Sequence, residues 1–235
     1  MIKVASYNIR KGLGTDRIRS PERIMAVLHE IDADIIALQE ADRRFGHRAA
    51  ILDPEYLAAH GSWKALPFGA KPLSSGWHGN VILVRRHAQI MDCEAIHLPT
   101  IEPRGAVMAD VRVNGQAIRV VGMHLDLSGL MRRRQADAIL SHLAASSRAL
   151  PTVMMGDLNE WTRHSGCLKT FAEHFHFAST GPSFHARRPV GRLDRIMASP
   201  DLSIRDCGVH VSHASRWASD HLPIWATVAP KDTGA

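Results

Sequence analysis

Apolar runs of strand length recur along the whole chain, and several of them stop at a polar side chain. The run KVASY stops at Asn8, the run IIALQ stops at Glu40, and the run TVMM stops at Gly156 and Asp157. Apolar runs of about four to eight residues bounded by turn-forming residues are typical of buried strands. The sequence therefore predicts a fold that packs many strands into a large core.

Two amphipathic helical stretches separate some of these strands. Ser20 and Pro21 suit the N-cap and the first helical position, and apolar residues at helical spacing follow them. The resulting strand–helix–strand unit predicts that the first two strands are parallel. Ser128 is predicted to cap the second helix, and Asn114-Gly115 between two further apolar runs predicts a hairpin.

A parallel unit combined with a hairpin indicates an α/β protein with mixed sheets. Two sheets packed face to face, with helices outside them, would bury this many apolar strands, and one open doubly wound sheet is the alternative. No linker or repeat divides the sequence. We therefore expect residues 1–230 to form a single domain and residues 231–235 to form a flexible tail.

Charge and cysteine content limit the partners and the compartment. The formal net charge of +6 favours anionic partners: nucleic acid, phospholipid head groups or other phosphate esters.

The three cysteines lie far apart and form no C-x-x-C motif, so we expect reduced thiols in a cytoplasmic protein. No secretory signal is visible, and no apolar run approaches the ~20 residues of a membrane span. We expect no transmembrane segment and see no sign of a stable protein partner.

Polar side chains mark strand ends elsewhere in the chain as well. His124 follows RVVGM, Asn159 follows the strand TVMMGD, and Asp220 and His221 precede the strand LPIWATV. Because functional sites of open sheets form beyond strand ends, we expect these side chains to converge. Taken singly, each has a simpler interpretation as a turn cap, an Asx-turn or a core histidine.

Three of the strand-end residues, Glu40, Asp157 and Asp220, are carboxylates. Drawing them together costs solvation and creates repulsion, so such a cluster requires a cation. Carboxylate and amide oxygens without thiolates are hard ligands that suit Mg²⁺ or Mn²⁺. The sequence thus predicts a magnesium or manganese site with room for a phosphate oxygen.

Seven motifs resemble, in content and order, those of the endonuclease/exonuclease/phosphatase superfamily: SYN, ALQE, GNVILVRR, GMHLDL, GDLNEW, LDRIMAS and SDHLPI. They extend from about Lys3 to Val228, and the pair GDLN and SDHLPI is the most specific. Members of this superfamily include DNase I-like nucleases, AP endonucleases, inositol polyphosphate 5-phosphatases and bacterial sphingomyelinases. The resemblance implies a DNase I-like four-layer α/β/β/α sandwich of two mixed β-sheets flanked by helices. It also implies a divalent-metal-dependent phosphoesterase, foremost a phosphodiesterase or nuclease-type hydrolase.

The resemblance assigns roles to the residues that match its motifs. Glu40 is implied to be the principal metal ligand, and Asn8 and Asp220 are implied to help bind the metal. Asp157 and Asn159 are implied to orient the nucleophilic water or to hold the phosphate.

Two histidines complete the implied site. His221 is implied to lie beside the scissile phosphate, oriented by Asp194, and His124 is implied to face the phosphoryl oxygens. A histidine whose tautomer is fixed by a carboxylate is suited to act as a general base. A simple salt bridge from Asp194 to Arg192 or Arg195 is the alternative.

Two arginine-bearing segments have two interpretations each. Arg104 precedes a glycine at a strand start, where it is suited to bind the substrate phosphate or to pair with Glu102. One interpretation places Arg187, Arg188 and Arg192 along a substrate cleft, and the other places them on a surface loop.

The chain departs from AP endonucleases at Arg10, since those enzymes carry an acidic residue two positions after the first-strand asparagine. Two other functions stay open. One is a phospholipid or inositol-phosphate hydrolase of the same fold, and the other is a non-catalytic protein that binds nucleic acid or anionic membranes. Neither an amphipathic membrane anchor nor a set of stacking aromatics is evident, so composition does not choose between nucleic acid and lipid.

Overall fold

The computed structural model describes residues 1–43, 49–68, 74 and 76–231. Within these ranges the chain forms two six-stranded sheets. In chain order the strands are β1 (Ile2–Asn8), β2 (Ile35–Gln39), β3 (Trp63–Ala65), β4 (Val81–Arg85), β5 (Gln89–Ile96), β6 (Gly105–Val113), β7 (Gln116–His124), β8 (Thr152–Asp157), β9 (His176–Phe177), β10 (Asp194–Ala198), β11 (Leu202–Val209) and β12 (Ile224–Pro230).

The first sheet has the order β11-β12-β1-β2-β4-β3, and the second has the order β5-β6-β7-β8-β10-β9. Both are mixed, because β1 and β2 are parallel in the first and β7 and β8 are parallel in the second. The helices are α1 (Pro21–Ile31), α2 (Pro54–His60), α3 (Gly129–Ala144), α4 (Cys167–Ala172) and α5 (His213–Ala218).

Three apolar clusters define four layers. One cluster lies between the sheets and joins residues such as Val4 and Val153. A second joins the other face of the first sheet to α1, α2 and α5, and a third joins the other face of the second sheet to α3 and α4. The predicted α/β/β/α sandwich is therefore confirmed, and the open doubly wound sheet is ruled out.

Alternation along the strands explains the layering. Val4 lies in the inter-sheet cluster, whereas its neighbour Ala5 lies in the helix-facing cluster, as the two-residue period of a strand requires. The sheets approach closely at Gly122, where an added Cβ would lie 3.2 Å from the Cβ of Ala37. The predicted cap of α1 is confirmed, because the amide of Arg23 donates to the hydroxyl of Ser20.

The predicted hairpin is confirmed, and the predicted N-cap position of Ser128 is confirmed without its expected hydrogen bond. Asn114 and Gly115 connect β6 to β7 with positive φ values of 50° and 78°. Ser128 does precede α3, but its hydroxyl makes no capping hydrogen bond. Its backbone amide instead donates to the carboxylate of Asp126 (2.9 Å), so an Asx-turn shapes the start of this helix.

Register brings the predicted site residues to one end of the sandwich. His124, Asp157 and Asp194 lie side by side, because His124 is opposite Asp157 in the β7–β8 pair and Asp194 is opposite Asp157 in the β8–β10 pair. In the first sheet, Asn8 lies opposite Gln39, the residue before Glu40. Polar side chains from both sheets therefore share one edge of the core.

The cysteines agree with expectation, and the start of the predicted tail does not. All three cysteines are free thiols. The amide of Lys231 donates to the carbonyl of Asp201 (2.8 Å), so the first residue of the predicted tail is bound to the fold. Residues 232–235 lie outside the described residues. No helix in the described ranges combines the length and the apolar character needed to cross a membrane.

Candidate active site

Asp157 is positioned by a close passage of β7 and β8. A Cβ on Gly156 would lie 1.9 Å from the main-chain oxygen of Met123, so the residue before Asp157 must be glycine. The amide of Asn159 donates to Asp157 Oδ1 (3.0 Å), and the side-chain amide of Asn159 donates to the carbonyl of Leu125 (2.9 Å). The Asx-turn interpretation of this segment is correct, and the turn itself fixes the orientation of Asp157.

The second carboxylate oxygen of Asp157 is the point where the two sheets meet. It accepts a hydrogen bond from Asn8 Nδ2 (3.0 Å), a residue 149 positions away. It also lies 3.4 Å from His124 Nε2 and 3.7 Å from His221 Nε2. The structure thus brings together four of the side chains that the sequence predicts to converge.

His221 is oriented from behind by Asp194, as predicted. His221 Nδ1 lies 2.9 Å from Asp194 Oδ2, and Asp194 is fully buried. The same oxygen accepts a hydrogen bond from the Ser183 hydroxyl. The alternative of a salt bridge from Asp194 to Arg192 or Arg195 is wrong, because Arg195 donates to the main-chain carbonyl of Asp194 (3.2 Å) while the carboxylate binds His221 and Ser183.

The two histidines have opposite charge preferences. Burial lowers the pKa of His221, but the charges of Asp194 and Asp157 outweigh burial and raise its pKa to about 9. Burial lowers the pKa of His124 to about 3, since the opposing effect of Asp157 is smaller and the positive charge of Arg104 adds to the shift. The folded protein therefore favours a protonated ring at His221 and a neutral ring at His124.

Arg104 pairs with Glu102, which is one of its two predicted interpretations, and it also contacts His124. Its Nη2 lies 3.3 Å from Glu102 Oε2, and its Nη1 lies 2.9 Å from His124 Nδ1. The guanidinium is mostly covered, with 15% of the side chain exposed. Arg104 therefore adds a positive charge directly beside His124.

The predicted metal ligands lie on the more open side of the site. Glu40 follows β2 with a φ of 52°, and its carboxylate contacts the ammonium of Lys11. Asp220 Oδ2 lies 3.1 Å from Arg10 Nε. Asn8 Oδ1 accepts a hydrogen bond from the amide of Arg10 (3.0 Å). The carboxylates of Glu40 and Asp220 are thus each balanced by a basic side chain from the loop after β1.

A cavity of about 100 Å³ joins the two sides of the site. Its lining includes Glu40 and Lys11 on one side and Glu102, Arg104 and His124 on the other. His124 and His221 both lie near the same oxygen of Asp157. Glu40 and His124 line one cavity, and His221 is connected to it through Asp157.

Glu40, Asp157 and Asp220 were predicted to surround one ion. Their carboxylates do not form such a group in the structure. Among the described residues, the group of carboxylate and imidazole ligand atoms that lie within 4.8 Å of one another consists of Asp157, Asp194 and His221. Asp194 and His221 are already bonded to each other in that group.

The residues nevertheless fit a divalent ion on chemical grounds. Glu40, Asp220 and Asn8 offer oxygen atoms alone, which suits Mg²⁺ or Mn²⁺. The side chains of Glu40 and Asp220 are 24% and 19% exposed, so an ion can reach them. Binding an ion there requires that Lys11 and Arg10 give up their carboxylate partners.

Several site residues escaped the sequence prediction. Ser183 lies in a loop without any periodic pattern, so no sequence signal pointed to its contact with Asp194. Asn80 did have a signal, a polar residue at the start of an apolar strand. Its side-chain amide donates to the carbonyl of Gly105 (3.1 Å) and ties the first sheet to the segment that carries Arg104.

Comparisons with known proteins agree with this architecture. A model of the Endonuclease/Exonuclease/phosphatase family matches residues 5–221 of the chain. By sequence the chain is similar to the uncharacterized protein YbhP of Escherichia coli (strain K12), with 27% identity over 245 residues covering 96% of this chain and 95% of YbhP.

Two solved structures show the same fold. An endonuclease/exonuclease/phosphatase from Bacteroides vulgatus is similar with a TM-score of 0.79 and 18% identity, covering 98% of this chain and 99% of that protein. The mannosyl-6-phosphatase of Bacteroides thetaiotaomicron VPI-5482 is similar with a TM-score of 0.76 and 19% identity, covering 97% of this chain and 100% of that protein.

Proposed function

We propose that this chain, which belongs to the endonuclease/exonuclease/phosphatase family, is a divalent-metal-dependent phosphodiesterase. The observation that carries the proposal is the position of Asp157 Oδ2, which meets Asn8 from one sheet and His124 from the other and lies near His221. A carboxylate held between an amide and two imidazoles is suited to position water against a bound phosphate.

The cation would be held by Glu40 and Asp220, with Asn8 beside them. Mg²⁺ or Mn²⁺, when bound there, supplies Lewis-acid polarisation of the phosphoryl group. The residues of the chain perform the remaining tasks: they bind the phosphate, orient the water and move protons.

Asp157 is assigned to accept the proton of the attacking water. Asn8 and the amide of Asn159 hold its two oxygens, so the carboxylate is fixed before substrate binds. As the water oxygen bonds to phosphorus, its proton passes to Asp157 and the bond to the leaving oxygen breaks.

His221 is assigned to donate rather than to accept a proton. Its Nδ1 lies 2.9 Å from Asp194 and its Nε2 lies 3.7 Å from Asp157, and two carboxylates at these distances stabilise the protonated ring. The general-base role inferred from its pairing with Asp194 is therefore less favoured than proton donation to the leaving oxygen. Arg104 and His124 then bind the non-bridging oxygens.

The proposal predicts that the purified protein hydrolyses bis-p-nitrophenyl phosphate with Mg²⁺ or Mn²⁺. EDTA should stop the reaction, and added metal should restore it. Binding of DNA or vesicles without turnover of any phosphoester would instead support the non-catalytic alternative. Nuclease-type activity and phospholipid hydrolysis are both compatible with this chemistry.

A further inference from the structure

Five large apolar side chains are exposed in four segments around the site. They are Ile101, Leu127, Leu130, Trp161 and Val190, and each is between 53% and 74% exposed. We call this set the apolar belt. Single exposed apolar residues need no explanation, whereas a group of them beside an active site indicates a binding surface.

The first three residues of the belt are neighbours. Asp126 accepts a hydrogen bond from the amide of Ile101 (3.2 Å) and directly precedes Leu127. Leu127 and Leu130 lie three positions apart where the chain enters α3. Ile101 and the start of α3 therefore form one continuous part of the rim.

A buried arginine connects this part of the rim to the rest of the belt. Arg132 donates to the carbonyl of Leu127 (2.7 Å) and pairs with Glu160 (3.1 Å), the residue before Trp161. The ring of Trp161 in turn covers Gly191, where an added Cβ would lie 3.1 Å from it, next to Val190. The belt is thus held together by fixed contacts from Ile101 to Val190.

Both ends of the belt reach the catalytic side chains. Three residues after Ile101, Arg104 lies against His124. At the other end, the Trp161 ring lies 5.9 Å from the Phe184 ring, which lies 4.9 Å from the imidazole of His221. A surface that covered the belt would therefore be presented directly to the site.

The segments that carry the belt are strongly basic. Residues 97–104, 125–134, 158–166 and 182–193 contain eight arginines and three acidic residues, a net charge of +5 against +6 for the whole chain. The three acidic residues have partners already: Glu102 pairs with Arg104, Glu160 pairs with Arg132, and Asp126 accepts backbone amides. The segments that carry the apolar belt are therefore rich in arginine, and of these arginines Arg187 lies over the ring of Trp217, outside the belt.

We propose that the apolar belt docks on an anionic phospholipid bilayer and presents head-group phosphodiesters to the site. The inference rests on the proposed phosphodiesterase function for its substrate, whereas the docking itself does not require turnover. Apolar side chains that enter the acyl boundary, surrounded by cations that attract anionic head groups, are the two features of peripheral membrane binding. Nucleic acid fits less well, because four of the five belt residues are aliphatic and protein–DNA interfaces are polar.

Vesicle co-sedimentation tests the proposal without any substrate turnover. The full chain is mixed with vesicles of phosphatidylcholine alone or of phosphatidylcholine with 30% phosphatidylglycerol, at about 0.15 M salt. We expect at least ten-fold stronger binding to the anionic vesicles. The triple variant Ile101→Gln/Leu130→Gln/Val190→Gln should lose at least ten-fold of that binding, while hydrolysis of bis-p-nitrophenyl phosphate stays unchanged.

The matched control is Ile90→Gln, an exposed apolar residue at the opposite end of the sandwich. This variant should bind vesicles within two-fold of the original chain. Absence of vesicle binding, or full binding by the triple variant, would overturn the proposal even if the protein hydrolyses soluble phosphodiesters. Loss of duplex DNA binding in the triple variant, with vesicle binding unchanged, would assign the belt to nucleic acid instead.

Tryptophan fluorescence gives a second readout that does not depend on sedimentation. If Trp161 enters the head-group region, anionic vesicles should shift its emission to shorter wavelength. The shift should disappear in Trp161→Phe and persist in Trp217→Phe, whose ring lies under Arg187 rather than in the belt. An equal shift in both variants would contradict the assignment.

Discussion

The two halves of the candidate site are built in different ways. In the phosphate half, His124, Asp157, Asp194 and His221 have side chains that are at most 7% exposed, and hydrogen bonds or close polar contacts join them. In the metal half, the side chains of Glu40 and Asp220 are more exposed, and Lys11 and Arg10 balance their charges.

This difference indicates how the site is prepared for its ligands. Buried hydrogen-bonded groups keep one geometry because losing a partner leaves a buried polar atom unpaired. Exposed ion pairs contribute little free energy, so they exchange easily. The phosphate half is therefore preorganised, whereas in the proposed metal half an ion would have to replace Lys11 and Arg10 at the carboxylates.

The largest expected effect lies in the phosphate half. Replacing His221 by alanine removes the donor to the leaving oxygen and should lower kcat by about 10²–10⁴-fold. Steady-state hydrolysis of bis-p-nitrophenyl phosphate measures the loss. The control is His210→Ala. His210 also pairs with a carboxylate, that of Glu30 at 2.7 Å, but it lies outside the site. Full activity of the His221 variant would refute the assigned chemistry.

The next effect concerns the metal half. Replacing Glu40 by glutamine removes one anionic ligand and should raise the metal concentration for half-maximal activity by at least about ten-fold. Activity at saturating metal should fall less than in the His221 variant. Titration of activity with Mn²⁺ measures both quantities, with Glu94→Gln as a carboxylate control on β5. An unchanged metal requirement would remove Glu40 from the metal half.

A smaller effect is expected from the group that supports Asp194. Replacing Ser183 by alanine removes one hydrogen bond to Asp194 Oδ2, a loss of about 1 kcal/mol, or roughly five-fold in rate. The variant should lower kcat more than it changes KM, because Ser183 acts through His221. Ser203→Ala, which removes a hydroxyl bonded to the carbonyl of Ala229, is the matched control. Equal losses in both serine variants would point to general destabilisation.

The smallest effect should have the opposite sign. Replacing Lys11 by methionine removes the competitor for Glu40, so the metal concentration for half-maximal activity should fall. The Lys11–Glu40 pair is partly exposed, and the ~0.2–1 kcal/mol typical of exposed pairs corresponds to about five-fold at its upper end. Lys64→Met, whose ammonium binds the carbonyl of Ala88, is the control. A higher metal requirement in the Lys11 variant would mean that Lys11 assists the metal half.

Residues at strand ends could be predicted from the sequence in both halves of the site. Apolar runs ending at Asn8, Glu40, His124 and Asp157 predicted which residues share one edge, because strand ends in one register must lie together. The parallel unit and the hairpin predicted mixed sheets, and the resemblance to the superfamily implied the layer order. These features depend on the pattern of apolar and polar residues over short stretches, which can be recognised in a single sequence.

Contacts made by loops could not be predicted in the same way. Lys11 and Arg10 reach Glu40 and Asp220 through a turn whose path depends on tertiary packing. Ser183 approaches Asp194 from an irregular segment. Ser128 has the residue type of a helix cap, yet Asp126 supplies the bond that shapes the helix start. Residue type alone did not reveal which of two neighbouring polar residues supplies the hydrogen bond at the start of the helix.

The position of a bound ion tests the central claim most directly. Crystals soaked with Mn²⁺ allow the ion to be located by anomalous diffraction. The account predicts Mn²⁺ at about 2.1 Å from a carboxylate oxygen of Glu40, with Lys11 displaced from it. An ion bound instead within the group of Asp157, Asp194 and His221, with Glu40 still paired to Lys11, would contradict the division of the site into a metal half and a phosphate half.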